Sequence, residues 1–347
     1  MSETFDPNSA SGCDTLFGIP CEQEQAGVIV LPVPFDATAS YRKGAAGAPR
    51  NVLEASWQVD LRDVDTGDPW REGIAMLPLE TGLADEVRVL NDEGRALMRW
   101  VESDERDGCD EEPVGARQAR ERLNAIGETL RARVSEEASV WLDKRKLVVV
   151  LGGEHSCPLG LIEQLAARHP GLGVLHIDAH ADLRNAYQGL KHSHASIMHN
   201  VLQVPGVEAL TQVAVRDLCA QEMELIDAQA RVTCYYDADL TRRQFEGETY
   251  GAIVREIVQT LPQQVYVSFD IDGLEPALCP GTGTPVPGGL TFQQACYLLR
   301  QVVVSGRRIV GCDLCEVGMG QMDGIVGARV LYKLIGSMLC SVPRSAF

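Results

Sequence analysis

Apolar positions in the second half of the chain fall in short unbroken runs, at 147–151, 172–177, 210–215, 231–234, 264–269 and 307–312. Such runs are the pattern of strands buried on both faces. Between them lie stretches with helical spacing near 157–168, 195–203, 219–229, 249–260 and 291–302, and a last one from about 324 to 339. Earlier, Gly27 to Pro32 predicts a first core strand. A Gly/Ala-rich loop then runs to Gly47, and a helix is expected from Ala48 to Ser56. Arg117 to Leu142 sets Leu123, Ile126, Leu130 and Val134 on one side of a helix. Strands alternating with helices predict a three-layer α/β/α fold with a mostly parallel sheet. Ligands of such a sheet bind beyond the carboxyl ends of its strands. Residues 1–25 lack periodicity and read as a loose arm, 26–347 as a single domain, and the charge runs at 102–107 and 110–113 as a solvated loop between helices.

Composition narrows the function. The 347 residues are 45% hydrophobic, enough for a large core. No run of about 18 apolar residues suggests a membrane span. The start, Met1 to Pro7, has no basic, apolar leader, so a cytoplasmic protein is expected. The net charge of −18 argues against nucleic-acid binding and suits a cationic substrate. Eleven scattered cysteines do not form a disulfide framework; Cys312 and Cys315, three apart on a strand, point to opposite faces. All seven histidines lie between His155 and His199, which marks that segment for chemistry.

Three strand ends carry metal-type ligands. Gly152-Gly153-Glu154-His155-Ser156 follows the 147–151 run, and Asp178-Ala179-His180-Ala181-Asp182 follows the 172–177 run. Ser268-Phe269-Asp270-Ile271-Asp272-Gly273 closes the 264–269 run. In extended chain, residues two apart leave the same face, so Asp178, His180 and Asp182 converge, as do Asp270 and Asp272. Four carboxylates and the imidazoles of His155 and His180 exceed one tetrahedral zinc site. They suit two neighbouring divalent ions, manganese-like by their oxygen content, with nickel, cobalt and zinc also possible.

GGEHS, DAHAD and SFDIDGLEP, in this order, resemble the three signatures of the ureohydrolases, the arginase and agmatinase family. Ser193-His194-Ala195-Ser196, Pro280 to Leu290, Asp313 to Val317 and Phe35 to Tyr41 also resemble family segments, chiefly on the agmatinase and guanidinase side. The resemblance spans about residues 27–340 and implies an arginase-like fold. It implies one ion held by His155, Asp178, Asp182 and Asp270, and another held by Asp178, His180, Asp270 and Asp272. The implied reaction is attack of a metal-bridging hydroxide on a guanidinium carbon, releasing urea or a substituted urea with an amine or ammonia. Asp182 would orient the hydroxide, Glu316 would grip the planar cation, and His194 would shuttle the proton to the leaving group, with His192 its rival. The substrate would be agmatine, guanidine, or a substituted guanidine or biguanide, the ions Mn²⁺ or Ni²⁺, and the assembly a trimer or hexamer.

His169, His176 and His199 read as structural, and Arg184 and Asp217 as candidates for a supporting layer. The sequence departs from the family pattern at Glu154, at Glu275 and in Val317 to Met322, a loop expected to line the substrate pocket. Two other readings compete: a single-zinc amide hydrolase of the deacetylase kind, and a subunit of a hetero-oligomeric ureohydrolase.

Overall fold

The computed structural model describes residues 5–8, 14–79, 82–102 and 114–342. Its centre is an eight-stranded sheet in which every pairing is parallel. In chain order the strands are β1 (Val28–Val33), β2 (Ile74–Met76), β3 (Leu147–Gly152), β4 (Leu172–Ile177), β5 (Val207–Val215), β6 (Val232–Tyr236), β7 (Gln264–Asp270) and β8 (Arg308–Cys315). Across the sheet they run β2-β1-β3-β8-β7-β4-β5-β6. Helices cover both faces: α1 (Ala48–Ser56), α2 (Leu83–Glu102), α3 (Val114–Asp143), α4 (Leu159–Arg168), α5 (Ile197–Val201), α6 (Ala220–Ala228), α7 (Asp237–Phe245), α8 (Tyr250–Gln259), α9 (Phe292–Val304) and α10 (Gln321–Ser341).

The unbroken apolar runs are explained by period-two alternation between two cores. Val28 and Val30 of β1, with Val149 and Leu151 of β3, pack under α1, α8, α9 and α10; Ile29, Leu31, Val148 and Val150 pack under α3 and α4. Cys312 enters the first core and Cys315 the second, as their spacing requires.

Four features differ from expectation. β2 is a three-residue edge strand, too short to show a period. α7 buries only Leu240, so it lacks the apolar stripe that reveals a helix. Within the arm expected to be loose, Leu16, Phe17 and Ile19 are buried, and Phe17 meets the Tyr332 ring edge-on; three large apolar groups within four residues were enough to anchor it. α10 is long and apolar enough to span a membrane, but most of it is buried against α1, β8 and α9. The solvated loop expected at 102–113 lies almost wholly outside the described residues.

Candidate active site

β3, β8, β7 and β4 are consecutive across the sheet, so their carboxyl ends form one row. The chain passes from β3 to β4 and fills the two places between them only later. That order opens a crevice at the strand ends.

His155 follows β3 on a loop that crosses the end of β1. A side chain on Gly153 would start 1.9 Å from the Phe35 carbonyl, so only glycine permits this crossing. The Gly153 and Glu154 amides donate to Val33 O (2.8 Å) and Phe35 O (2.7 Å). Glu154 is buried and accepts from the Thr38 amide (2.9 Å), the Thr38 hydroxyl and Ser156 Oγ (2.7 Å). It therefore ties the His155 loop to the segment that carries Ser40. Burial pushes its carboxyl up to about 7.

The three motifs converge as expected. His155 Nδ1 lies 3.0 Å from Asp178 Oδ2, 3.2 Å from Asp270 Oδ2 and 3.3 Å from Asp182 Oδ2. His180 Nδ1 lies 3.2 Å from Asp272 Oδ2 and 3.4 Å from Asp178 Oδ1. Asp178 thus turns one oxygen to each imidazole. The Asp270 Oδ1 atom accepts the Asp272 amide at 2.8 Å, and Asp272 accepts from the Ala179 amide (3.1 Å) and Thr284 Oγ1 (3.4 Å).

This cage is short of positive charge. All four aspartates are buried, and their ion-pair partners are histidines. Burial, then the charge on Asp178, pushes Asp182 up to about 6; burial, Asp272 and Asp178 hold Asp270 well above the carboxylate range. Burial opposes the charge on His180, but Asp272 and Asp178 outweigh it and push the imidazole up to about 12. The donors that crowd together, carboxylate oxygens with two imidazole nitrogens, are those of a divalent metal site.

A cavity of about 180 Å³ opens in front of the cage, lined by His180, Asp182, His194, Ser40, Tyr187, Arg184, Asp217 and Thr284 among others. His194 Nε2 lies 3.3 Å from Ser40 Oγ, and its ring meets Tyr187 edge-on. Burial, with the charges on His180 and His155, lowers its imidazole to about 4, so it is a neutral proton acceptor. The rival His192 faces elsewhere, pairing with Glu128 of α3 at 3.2 Å. Arg184 stacks on Tyr187 with 5.1 Å to the ring centre.

Glu316, just past β8, is buried beside the cage rather than in the cavity wall. Its Oε1 accepts the His155 amide at 3.0 Å, and burial, then the charges on Glu154 and Asp272, holds its carboxyl well above the usual range. Asp182 (φ 52°) and Glu316 (φ 62°) both adopt the left-handed region, a strained backbone for side chains other than glycine. The loop from Gly318 to Met322 does not line this cavity. Asn51 Nδ2 holds Gly318 O (2.7 Å) and Gly320 O (3.0 Å), and Gly318 abuts Gly281.

His176, expected to be structural, lies 2.8 Å from Asp178 Oδ2. Ser268 Oγ, 2.8 Å from His155 Nε2, and Asp313, 3.8 Å from it, also join the network. A signal existed for two of them. His176 and Ser268 each stand two residues before a candidate ligand, hence on the same strand face, and polar residues inside apolar strands need a partner.

An acid cage at the strand ends of an all-parallel sheet, with a cavity before it, is the arrangement of a metal-dependent hydrolase. The profile of the arginase family matches residues 26–340, so the chain belongs to that family. The N(1)-aminopropylagmatine ureohydrolase of Thermus thermophilus is 30% identical over 315 residues, covering 90% of each chain. The protein of the same name from Synechocystis is 28% identical over 316 residues, covering 90% of this chain and 89% of its own. Agmatine ureohydrolase of Thermoplasma volcanium shares the fold, with a TM-score of 0.71 at 24% identity over 95% of each chain.

Proposed function

We propose that the chain hydrolyses a guanidino compound, with agmatine and its N-substituted derivatives the leading substrates, and releases urea. Two divalent ions, Mn²⁺ or Ni²⁺, would be held by His155, Asp178, Asp182 and Asp270, and by Asp178, His180, Asp270 and Asp272. The observation that carries the reading is the convergence of these donors at 3.0–3.4 Å in a buried cage with which no lysine or arginine among the described residues forms an ion pair. Bound divalent ions supply a Lewis acid that makes attacking water available near neutral pH.

The protein's own groups do the rest. Asp182, on the cavity wall, accepts a hydrogen bond from the attacking water and aims it. Glu316 pairs with the guanidinium, whose charge favours its ionised form. His194, neutral and facing the cavity, takes up a proton released by the attacking water and passes it to the departing nitrogen, which leaves only when protonated. The free thiols among the described cysteines suit a reducing cytoplasm, and family resemblance supports a trimer or hexamer.

The test is urea release from agmatine, N(1)-aminopropylagmatine, guanidine, guanidinobutyrate and arginine after reloading with Mn²⁺ or Ni²⁺. Release from at least one is expected. A chain that binds both ions and liberates no urea from any of them would overturn the reading.

A further inference from the structure

Asp178 stands between the two halves of the cage, and a buried chain of polar groups reaches it from behind. His176 and Asp178 share one face of β4 and its extension, with His176 Nε2 2.8 Å from Asp178 Oδ2. Behind His176 stands Gln212 of β5, its neighbour in the sheet register. The Gln212 Nε2 atom lies 2.9 Å from His176 Nδ1 and 2.7 Å from the Ala181 carbonyl oxygen. Gln212, His176 and Asp178 are all fully buried.

These contacts fix where the protons are. A carbonyl oxygen only accepts, so the group facing Ala181 must be the amide NH₂; the reverse orientation would press two acceptors together. The same nitrogen also donates to His176 Nδ1, which must then be the bare ring nitrogen. The ring proton sits on Nε2 and is donated to Asp178. On its other oxygen, Asp178 accepts the His180 amide at 2.6 Å. With one donor fixed on each oxygen, the carboxylate cannot rotate, and its remaining lone pairs face His155 and His180.

We propose that Gln212 and His176 are positioning residues: Gln212 selects the ring tautomer of His176, and His176 holds Asp178 in the orientation that serves two ions at once. This rests on the reading that Asp178 ligates divalent metal. Both are fully buried behind Asp178, so neither touches substrate. A histidine held this way gives a directional hydrogen bond that a merely space-filling ring does not.

The experiment compares His176→Phe, His176→Gln and Gln212→Leu with the parent chain after loading with Mn²⁺. It measures ions bound per chain, the rate of Mn²⁺ release to a chelator, and thermal unfolding of the metal-free chains. H176F and Q212L should release Mn²⁺ about 10- to 100-fold faster. H176Q, which keeps an N–H donor, should stay within a few-fold of the parent. If H176F fails to fold, Q212L carries the same comparison. Release at the parent rate by the donorless variants would overturn the proposal. So would equal acceleration in H176Q and H176F, which would make His176 a packing group or a direct ligand. A parent chain that binds neither Mn²⁺ nor Ni²⁺ would instead overturn the proposed function.

Discussion

Two of the acid clusters among the described residues are built to opposite ends. In one, Lys333 of α10 points at Asp63 (2.6 Å) and Asp65 (3.0 Å) in the loop following α1. Burial works against the charge on Asp63, but Lys333 and the Thr66 amide and hydroxyl outweigh it, and the carboxyl stays below its usual range. Burial likewise opposes the charge on Lys333, and Asp63 and Asp65 outweigh it and raise the ammonium. With Arg300 Nε 3.6 Å from Asp65 as the second cation, that cluster neutralises itself. At the strand ends, four aspartates meet three imidazoles, and Asp182 and Asp270 are driven toward protonation. An acid cluster completed by its own lysine is a fastening, whereas one left short of cations is built to receive them.

The comparison breaks most sharply if a ligand is neutralised. Asp178→Asn or Asp270→Asn should abolish urea release together with bound metal, read by elemental analysis and assay; full metal content with normal turnover would remove the aspartate from the site. In the other cluster, Lys333→Met should cost about 1–3 kcal/mol of stability, because Asp63 loses its partner and Asp65 keeps only Arg300. Chemical denaturation measures this, and the folded fraction should keep its turnover and metal. His194→Ala should lower kcat by about 100-fold with both ions retained. Glu316→Gln removes one charge-assisted interaction with the substrate, about 1.5–3 kcal/mol, and should raise KM while metal content holds. Unchanged kinetics would exclude Glu316 from substrate binding.

The smallest effect is on pH. Asp63 has a lowered folded value, so its contribution is complete above the unfolded carboxylate range and disappears as pH falls through the folded one. Lys333 has a raised value, so its contribution is complete below the unfolded lysine range and disappears as pH climbs through the folded one. The contribution of this pair should therefore be flat between those limits and fall outside them, and Lys333→Met should blunt both falls in denaturation midpoints followed against pH.

Much of this was legible in the chain. Alternation of buried strands with helices fixed the layers, because each strand residue must enter one of two cores, and the three ligand motifs each declared a strand end. Less visible was what depends on contacts between distant segments. Gln212 sits in an apolar run, and only the β4–β5 register brings it to His176. Asp313 belongs to a segment resembling the family, but its approach to His155 follows from β8 lying between β3 and β7. The resemblance favoured His194 over His192, but spacing alone gave no preference, and only the turn of the loop sets His192 against Glu128 and His194 at the cavity. α7 stayed hidden because its surface position asks for almost no apolar residues.

The crossing at Gly153 has a mechanical consequence. Because the backbone there rests directly on Phe35, and Glu154 grips Thr38, the loop that delivers His155 and the one that delivers Ser40 to His194 behave as a single rigid strut. A methyl group at position 153 would wedge the two apart. The imidazole of the cage and the hydroxyl beside His194 would then drift in concert, although neither side chain had been altered.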